Sequence, residues 1–312
     1  MESPQIPDRR AWAGTIARYG GVSSYGVWKV AIDAYYWDQM EQSLDVAQEL
    51  GVVFGWQEWW FRLIEAEALT RKSSQILKVD ELLSIEHVPS ELHHFTQVTA
   101  DVTHACADVR QRFGWAEGGQ TMVSVLSEQT NAPWTVGRAG YMMDKYPFDK
   151  ICIPREITQV PQVLQSTIRH EYAHVMVLNL TAGKATTYLH EAVTMLAQDW
   201  QRTEDWAKFA KGEEPWLDPN ALSAAFDDQH DPNRTHARSL AYSQSAAIGF
   251  YLKSLEGEQK IGDLLRAFGD NPNWQQLKMT ILGQSAADEA LRQVYNFGER
   301  DLFERTIEWL RK

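Results

Sequence analysis

Cysteine is scarce in this chain of 312 residues, with Cys106 and Cys152 as the only two. Two cysteines cannot form a disulfide framework, and they cannot supply the thiolate ligands of a structural zinc site. So low a cysteine content fits a reducing compartment.

Long apolar runs and clusters of basic residues are missing as well. No stretch approaches the roughly 20 apolar residues that a membrane span needs, and the N-terminal segment has no signal-peptide pattern. Lys and Arg number 30 against 42 Asp and Glu, which gives a formal net charge of −12. No basic stripe suited to phosphates is present, so neither nucleic acid nor a membrane is an expected partner. We expect a soluble cytoplasmic protein; its oligomeric state is not predicted.

The chain is rich enough in apolar residues to build a real core. Hydrophobic residues make up 44% of it, which suits one large domain or two ordinary ones. The apolar spacing predicts two helices in residues 24–72, separated near Gly51 to Gly55, and another helix over residues 90–113. A polar stretch around residues 78–89 is interpreted as a boundary between domains.

Short strands are predicted after these helices, at residues 121–126, 140–143 and 150–153. Pro154 ends the last strand, and helical patterns then continue along the chain. This order predicts an α+β fold. We expect a mainly helical N-terminal subdomain over residues 1–87 and a second domain over residues 88–312, in which a small sheet is followed by helices.

Residues 170–174 read His-Glu-Tyr-Ala-His, an HExxH pattern within a predicted helix. His170 and His174 are four positions apart, so their imidazoles lie on one helix face, one turn apart. Two neutral nitrogens at this spacing can take two positions of a tetrahedral Zn²⁺. Glu171 is rotated about 100° from His170, which favours a general-base role toward water over ligation. The motif predicts a zinc-dependent hydrolase, and the alternative is a pair of structural histidines.

A catalytic zinc site normally has three protein ligands, and the next helical segment, residues 188–197, offers two candidates. Glu191 lies in this segment, and His190 is beside it. A short return after the motif helix lets the segment pack alongside and present one side chain to the metal. The spacing leaves both residues open as the third ligand. Thr194 and Asp199 are conceivable hydrogen-bond partners of the ligands.

Further motifs accompany the histidines: Tyr-Leu-His-Glu-Ala at residues 188–192, Ala-Tyr-Ser-Gln-Ser at residues 241–245, and the C-terminal segment 302–310. With the HExxH pattern, they make residues 97–312 resemble the peptidase-MA-like gluzincins, relatives of the thermolysin and aminopeptidase branches. The resemblance implies a zincin-like catalytic domain. It also implies that Glu191, rather than His190, joins the two histidines in holding Zn²⁺.

The sequence departs from neighbouring zinc peptidase groups at several points. Val177 and Leu180 occupy the positions where a metzincin has glycine and histidine, so that subclass is excluded. No GxMEN-type motif precedes the HExxH helix, which argues against a typical aminopeptidase. Ala192 replaces the glycine customary after the glutamate ligand, and the interval to Glu191 is slightly short. Substrate-binding residues of the related branches are therefore not carried over.

The resemblance also implies a tyrosine or histidine that stabilises the oxyanion of the tetrahedral intermediate. Tyr242 and His236 are the candidates, and Tyr242 has the better motif context. The expected function is hydrolysis of a peptide or protein substrate, with Glu171 and Tyr242 as catalytic groups. One alternative is a zinc hydrolase with a non-peptide substrate. Another is a non-catalytic interaction protein with a degenerate zincin domain, which would use the helical hairpin in residues 24–72, a segment that loosely resembles a tetratricopeptide unit.

Overall fold

The computed structural model describes residues 24–50, 55–116, 118–127, 141–143, 148–226, 235–270 and 285–312. These residues form helices and a small mixed sheet, so the predicted α+β class is confirmed. The chain forms two compact units: Met1–Thr99 with Gly119–Pro161, and Ala100–Gly118 with Gln162–Lys312. The sheet belongs with the N-terminal helices in the first unit. The domain boundary expected at residue 87 stays a prediction.

The helices of the first unit are α1 (Ser24–Tyr36), α2 (Met40–Leu50) and α3 (Gly55–Ser73). The apolar spacing predicted one helix where α1 and α2 stand, and this prediction is wrong. The chain breaks at Asp38, which has a left-handed φ of 53° and accepts a hydrogen bond from Arg71 on α3. The spacing hides the break because both helices bury apolar residues in one cluster, among them Trp28 and Leu44. Residues 51–54, in the predicted separation, lie outside the described part.

The strands of the sheet are β1 (Gln75–Lys78), β2 (Leu83–His87), β3 (Thr121–Leu126), β4 (Tyr141–Met143) and β5 (Asp149–Pro154). Their order is β1-β2-β3-β5-β4. The inner pairs β2–β3 and β3–β5 are parallel, and the edge strands β1 and β4 pair antiparallel.

The sequence predicted β3, β4 and β5, and the structure confirms these three strands. It missed β1, which ends where the stretch interpreted as a polar boundary begins, and β2, which lies within that stretch. The physical reason is that β2 buries Glu86 and His87 as well as its apolar residues, so its hydropathy does not look like that of a strand. Gly140 and residues 144–147 lie outside the described residues.

A buried ion cluster joins the sheet to the helices of the first unit. Lys150 on β5 is fully buried, with its ammonium 2.9 Å from Glu67 and 3.0 Å from Glu86. Tyr35 also hydrogen-bonds to Glu67, and Arg71 donates to Glu86 at 2.5 Å. Burial works to raise the pKa of Glu86, but the charges of Lys150 and Arg71 outweigh it and lower that pKa to about 2. Buried charges are tolerated when they are paired in this way.

The helices of the second unit are the part of α4 (Phe95–Phe113) from Ala100 onward, α5 (Pro161–Thr181), α6 (Thr187–Ala197), α7 (Thr203–Lys211), α8 (Pro219–Ala224), α9 (Thr235–Glu256), α10 (Glu258–Gly269), α11 (Ala286–Tyr295) and α12 (Glu299–Leu310). The HExxH residues lie on α5, as predicted, and Gly183 follows its end with a φ of 71°. In the described part of the chain, no helix has the length and apolar character needed to cross a membrane.

Candidate metal centre

Three side chains from two helices meet in the second unit. His170 and His174 lie on α5, and Glu191 lies on α6. One carboxylate oxygen of Glu191 is 3.9 Å from His170 Nε2, and the other is 3.8 Å from His174 Nε2. A ligand atom from each of the three residues lies within 4.8 Å of the other two. The structure therefore brings together the three residues that the sequence analysis named as metal ligands.

The donor set and its spacing fit a zinc ion. Two imidazoles and one carboxylate form a ligand set of known catalytic zinc sites. Donor atoms bound tetrahedrally to one zinc at about 2.0–2.1 Å stand about 3.3 Å apart. The observed distances of 3.8 and 3.9 Å would each need to shorten by only about half an ångström to match that spacing. The histidine side chains are 16% and 17% exposed, which leaves them accessible to water, as a catalytic site requires.

Thr194 contacts the candidate ligand Glu191 from within the same helix. Its fully buried hydroxyl lies 3.1 Å from the Glu191 carbonyl oxygen and 3.4 Å from Glu191 Oε2. Thr194 and Asp199 were both expected from the sequence as partners of the ligands. The Asp199 carboxylate instead accepts hydrogen bonds from Arg112 at 2.9 and 3.2 Å.

Glu171 and His190 are the immediate sequence neighbours of two candidate ligands, His170 and Glu191. Glu171 follows His170 on α5 and is buried, with 8% of its surface exposed. The His190 ring stacks on that of His174, with centroids 5.9 Å apart. Burial lowers the pKa of His190 to about 4, so its imidazole is neutral near pH 7. Among the described residues, the group of potential ligands at this point contains Glu191 and not His190.

The two candidates for the oxyanion donor lie on α9 in different surroundings. Tyr242 is half-buried, and its ring packs edge-on against Phe226 with centroids 5.0 Å apart. It also packs on an apolar cluster that contains Met195 of α6. The side chain of His236 is 74% exposed and lies 3.8 Å from the Glu214 carboxylate. Neither contact tests the predicted role, which stays a prediction.

Residues of α4 that contact the motif helix were not predicted from the sequence. Arg110 donates a 2.6 Å hydrogen bond to the hydroxyl of Tyr172, the residue after Glu171. Asp108 pairs at 2.8 Å with Arg169, the residue before His170. The only signal in the sequence is a concentration of charged residues near the end of α4. That signal does not say which partners these residues would reach.

No protein-family model, curated protein or solved structure matches this chain. The resemblance to gluzincins therefore stays a prediction from short motifs, and function has to be inferred from the geometry of the site.

Proposed function

We propose that this protein is a zinc-dependent peptidase that holds its metal with His170, His174 and Glu191. One observation carries the proposal: the buried carboxylate of Glu191, from a second helix, stands 3.8–3.9 Å from both motif imidazoles. Two imidazoles and a carboxylate, brought together from two helices, are donors of the kind that catalytic zinc sites use, and this supports a metal site over a pair of structural histidines. The order of elements, a mixed sheet followed by the motif helix and a second ligand helix, supports a zincin-like catalytic domain.

Glu171 is the group that moves protons in the proposed reaction. A bound Zn²⁺ would supply Lewis-acid polarisation of the substrate carbonyl and of water. The Glu171 carboxylate accepts a proton from the water that attacks the carbonyl carbon. The same carboxyl group then gives this proton to the leaving amine nitrogen as the amide bond breaks. Its position directly after His170 on α5 supports this role.

Tyr242 is proposed as the hydrogen-bond donor to the oxyanion. The support is its half-buried position on α9, against a cluster that includes a residue of the ligand helix α6. Loss of one such donor commonly costs about 10²–10³ in rate. Tyr242→Phe should therefore lower kcat by about that factor without changing zinc content. His236→Ala is the matched control, because the exposed imidazole should be dispensable; the reverse pattern would assign the role to His236.

The main experiment compares the wild type with Glu171→Gln on a peptide library and measures zinc in both proteins. We expect one zinc per chain in each, with hydrolysis by the wild type alone, because the amide cannot accept the water proton. His170→Ala should lose the zinc. A wild type that holds zinc but cleaves no peptide would refute the peptidase proposal and favour a non-peptide substrate. A wild type that binds no zinc would refute the metal site as well.

A further inference from the structure

Arg112 on α4 holds the C-terminal end of α6, the helix that carries Glu191. Its guanidinium donates to the carbonyl oxygens of Leu196 and Ala197, each at 2.9 Å. The end of a helix carries partial negative charge on its last carbonyls, and a cation there is stabilising. The Arg112 side chain therefore caps the ligand helix without touching the ligands.

Two carboxylates hold this guanidinium in one orientation. Glu258 at the start of α10 accepts hydrogen bonds at 2.7 and 3.0 Å, and Asp199 accepts at 2.9 and 3.2 Å. Paired hydrogen bonds of this kind fix the orientation of a planar guanidinium, and the ammonium group of a lysine cannot form such pairs. Burial works to lower the pKa of Arg112, but the hydrogen bonds and charges of Glu258 and Asp199 outweigh it and raise that pKa. Arg112 is therefore charged at neutral pH and well above it.

The same part of α4 is tied to the motif helix. Asp108 lies one turn before Arg112, 3.5 Å from its guanidinium. Asp108 also pairs at 2.8 Å with Arg169, the residue before His170. A continuous path of polar contacts thus runs from α5 through Asp108 and Arg112 to the end of α6. Both ligand-bearing helices are attached to one turn of α4.

We propose that Arg112 is a positioning residue that holds α6 so that Glu191 reaches the metal bound by the two motif histidines. This inference rests on the proposed metal site. Leu196 and Ala197 lie five and six residues after Glu191, roughly 7.5–9 Å along the helix. That distance is too long for contact with the ligands, but movement of this rigid helix end also moves Glu191. The Glu191 oxygens already need to move by about half an ångström to reach the spacing of a tetrahedral zinc, so further displacement of α6 should weaken the bond to the metal.

The test measures zinc affinity by competition with a chromophoric chelator, together with the visible absorption spectrum of the Co²⁺-loaded protein. In Arg112→Gln we expect zinc affinity to fall by about tenfold or more and the Co²⁺ spectrum to shift toward that of Glu191→Gln. Lys253→Gln is the matched control. Lys253 lies 2.8 Å from the same Glu258 carboxylate, so its loss perturbs that ion pair and leaves the Arg112 contacts with α6 in place. It should keep wild-type affinity and spectrum.

The outcomes separate this inference from the metal site itself. Wild-type zinc affinity in Arg112→Gln, with weaker binding in Glu191→Gln, would overturn the role of Arg112 and leave the site standing. Absence of zinc binding in the wild type would overturn both proposals. Arg112→Lys keeps the charge but loses the paired geometry of the hydrogen bonds. It is the variant in which to measure zinc affinity if Arg112→Gln does not fold. We expect a smaller loss of affinity in Arg112→Lys, and wild-type affinity there would also overturn the inference.

Discussion

Gly249 on α9 packs against α6, the helix that carries Glu191, and a substitution there tests this packing directly. A Cβ added at Gly249 would lie 3.0 Å from the carbonyl carbon of Ala192, closer still to its oxygen, and 3.4 Å from Leu196 Cβ. Non-bonded carbon atoms prefer about 3.5–4.0 Å, so Gly249→Ala should push α9 and α6 apart by about 0.5–1 Å. Ala192 follows Glu191 directly, and this shift should therefore move the carboxylate that we propose as a metal ligand.

The expected loss of stability follows from two opposing effects. Extra volume in a well-packed contact typically costs about 1–3 kcal/mol, whereas alanine is favoured over glycine within a helix by up to about 1 kcal/mol. The close contact at Gly249 is with backbone atoms of Ala192, which cannot rotate away as a side chain can, so the cost should lie toward the upper end of its range. Gly249→Ala should therefore lower the free energy of unfolding of the metal-free protein by about 1–2 kcal/mol. Because the ligand also moves, zinc affinity should fall by about tenfold.

Chemical denaturation of the metal-free protein and chelator competition measure these two effects separately. Gly269→Ala is the matched control, because its Cβ would lie 3.4 Å from the carbonyl carbon of Leu180 and closer to its oxygen. Leu180 lies six residues after His174, roughly 9 Å along α5, whereas Ala192 is next to Glu191, so Gly269→Ala should lose stability with a smaller fall in zinc affinity than Gly249→Ala. If Gly249→Ala lost stability but bound zinc as tightly as the wild type, the position of Ala192 would not control the ligand. Unchanged stability would refute the close packing of the two helices.

Two further predictions concern the buried ion cluster of the first unit. Lys150→Met leaves Glu67 and Glu86 buried without the cation between them, and denaturation should show a loss of about 3–5 kcal/mol. Lys78→Met removes only an exposed ion pair with Glu81 and should change the free energy of unfolding little. If Lys78→Met and Lys150→Met lost the same stability, burial of the Lys150 ion pairs would not explain the loss. The pKa of Glu86 is about 2 in the folded protein against an ordinary value of 4.5, a difference of about 3 kcal/mol. This stabilisation is complete above pH 4.5 and is lost as pH falls toward 2. The stability of Glu86→Gln, measured by denaturation, should therefore depend less on pH in that range than the stability of the wild type. An unchanged pH dependence would refute the low pKa of Glu86.

The spacing of residues in the sequence predicted features that depend on one or two turns of a helix or on a single strand. The spacing of four between His170 and His174 puts both imidazoles on one helix face in any α-helix, and short strand-like runs bounded by turn residues and Pro154 indicated β3, β4 and β5. These features depend on local sequence alone. The same reasoning failed at Asp38, because a break between two helices that bury their apolar residues in one cluster leaves the spacing of those residues intact.

Contacts between distant parts of the chain could not be predicted in the same way. Glu191 and His190 are adjacent and both suit zinc, and the choice between them depends on how α6 is rotated against α5. The packing of Ala192 and Leu196 against Gly249 and the hydrogen bonds from Arg112 to the end of α6 are contacts on which such a rotation depends, and each spans more than 50 residues of sequence. The buried strand β2 was hidden for the same reason, since the partners of Glu86 lie on other elements. Periodicity describes the surface of one element, whereas the placement of a ligand depends on which surfaces meet.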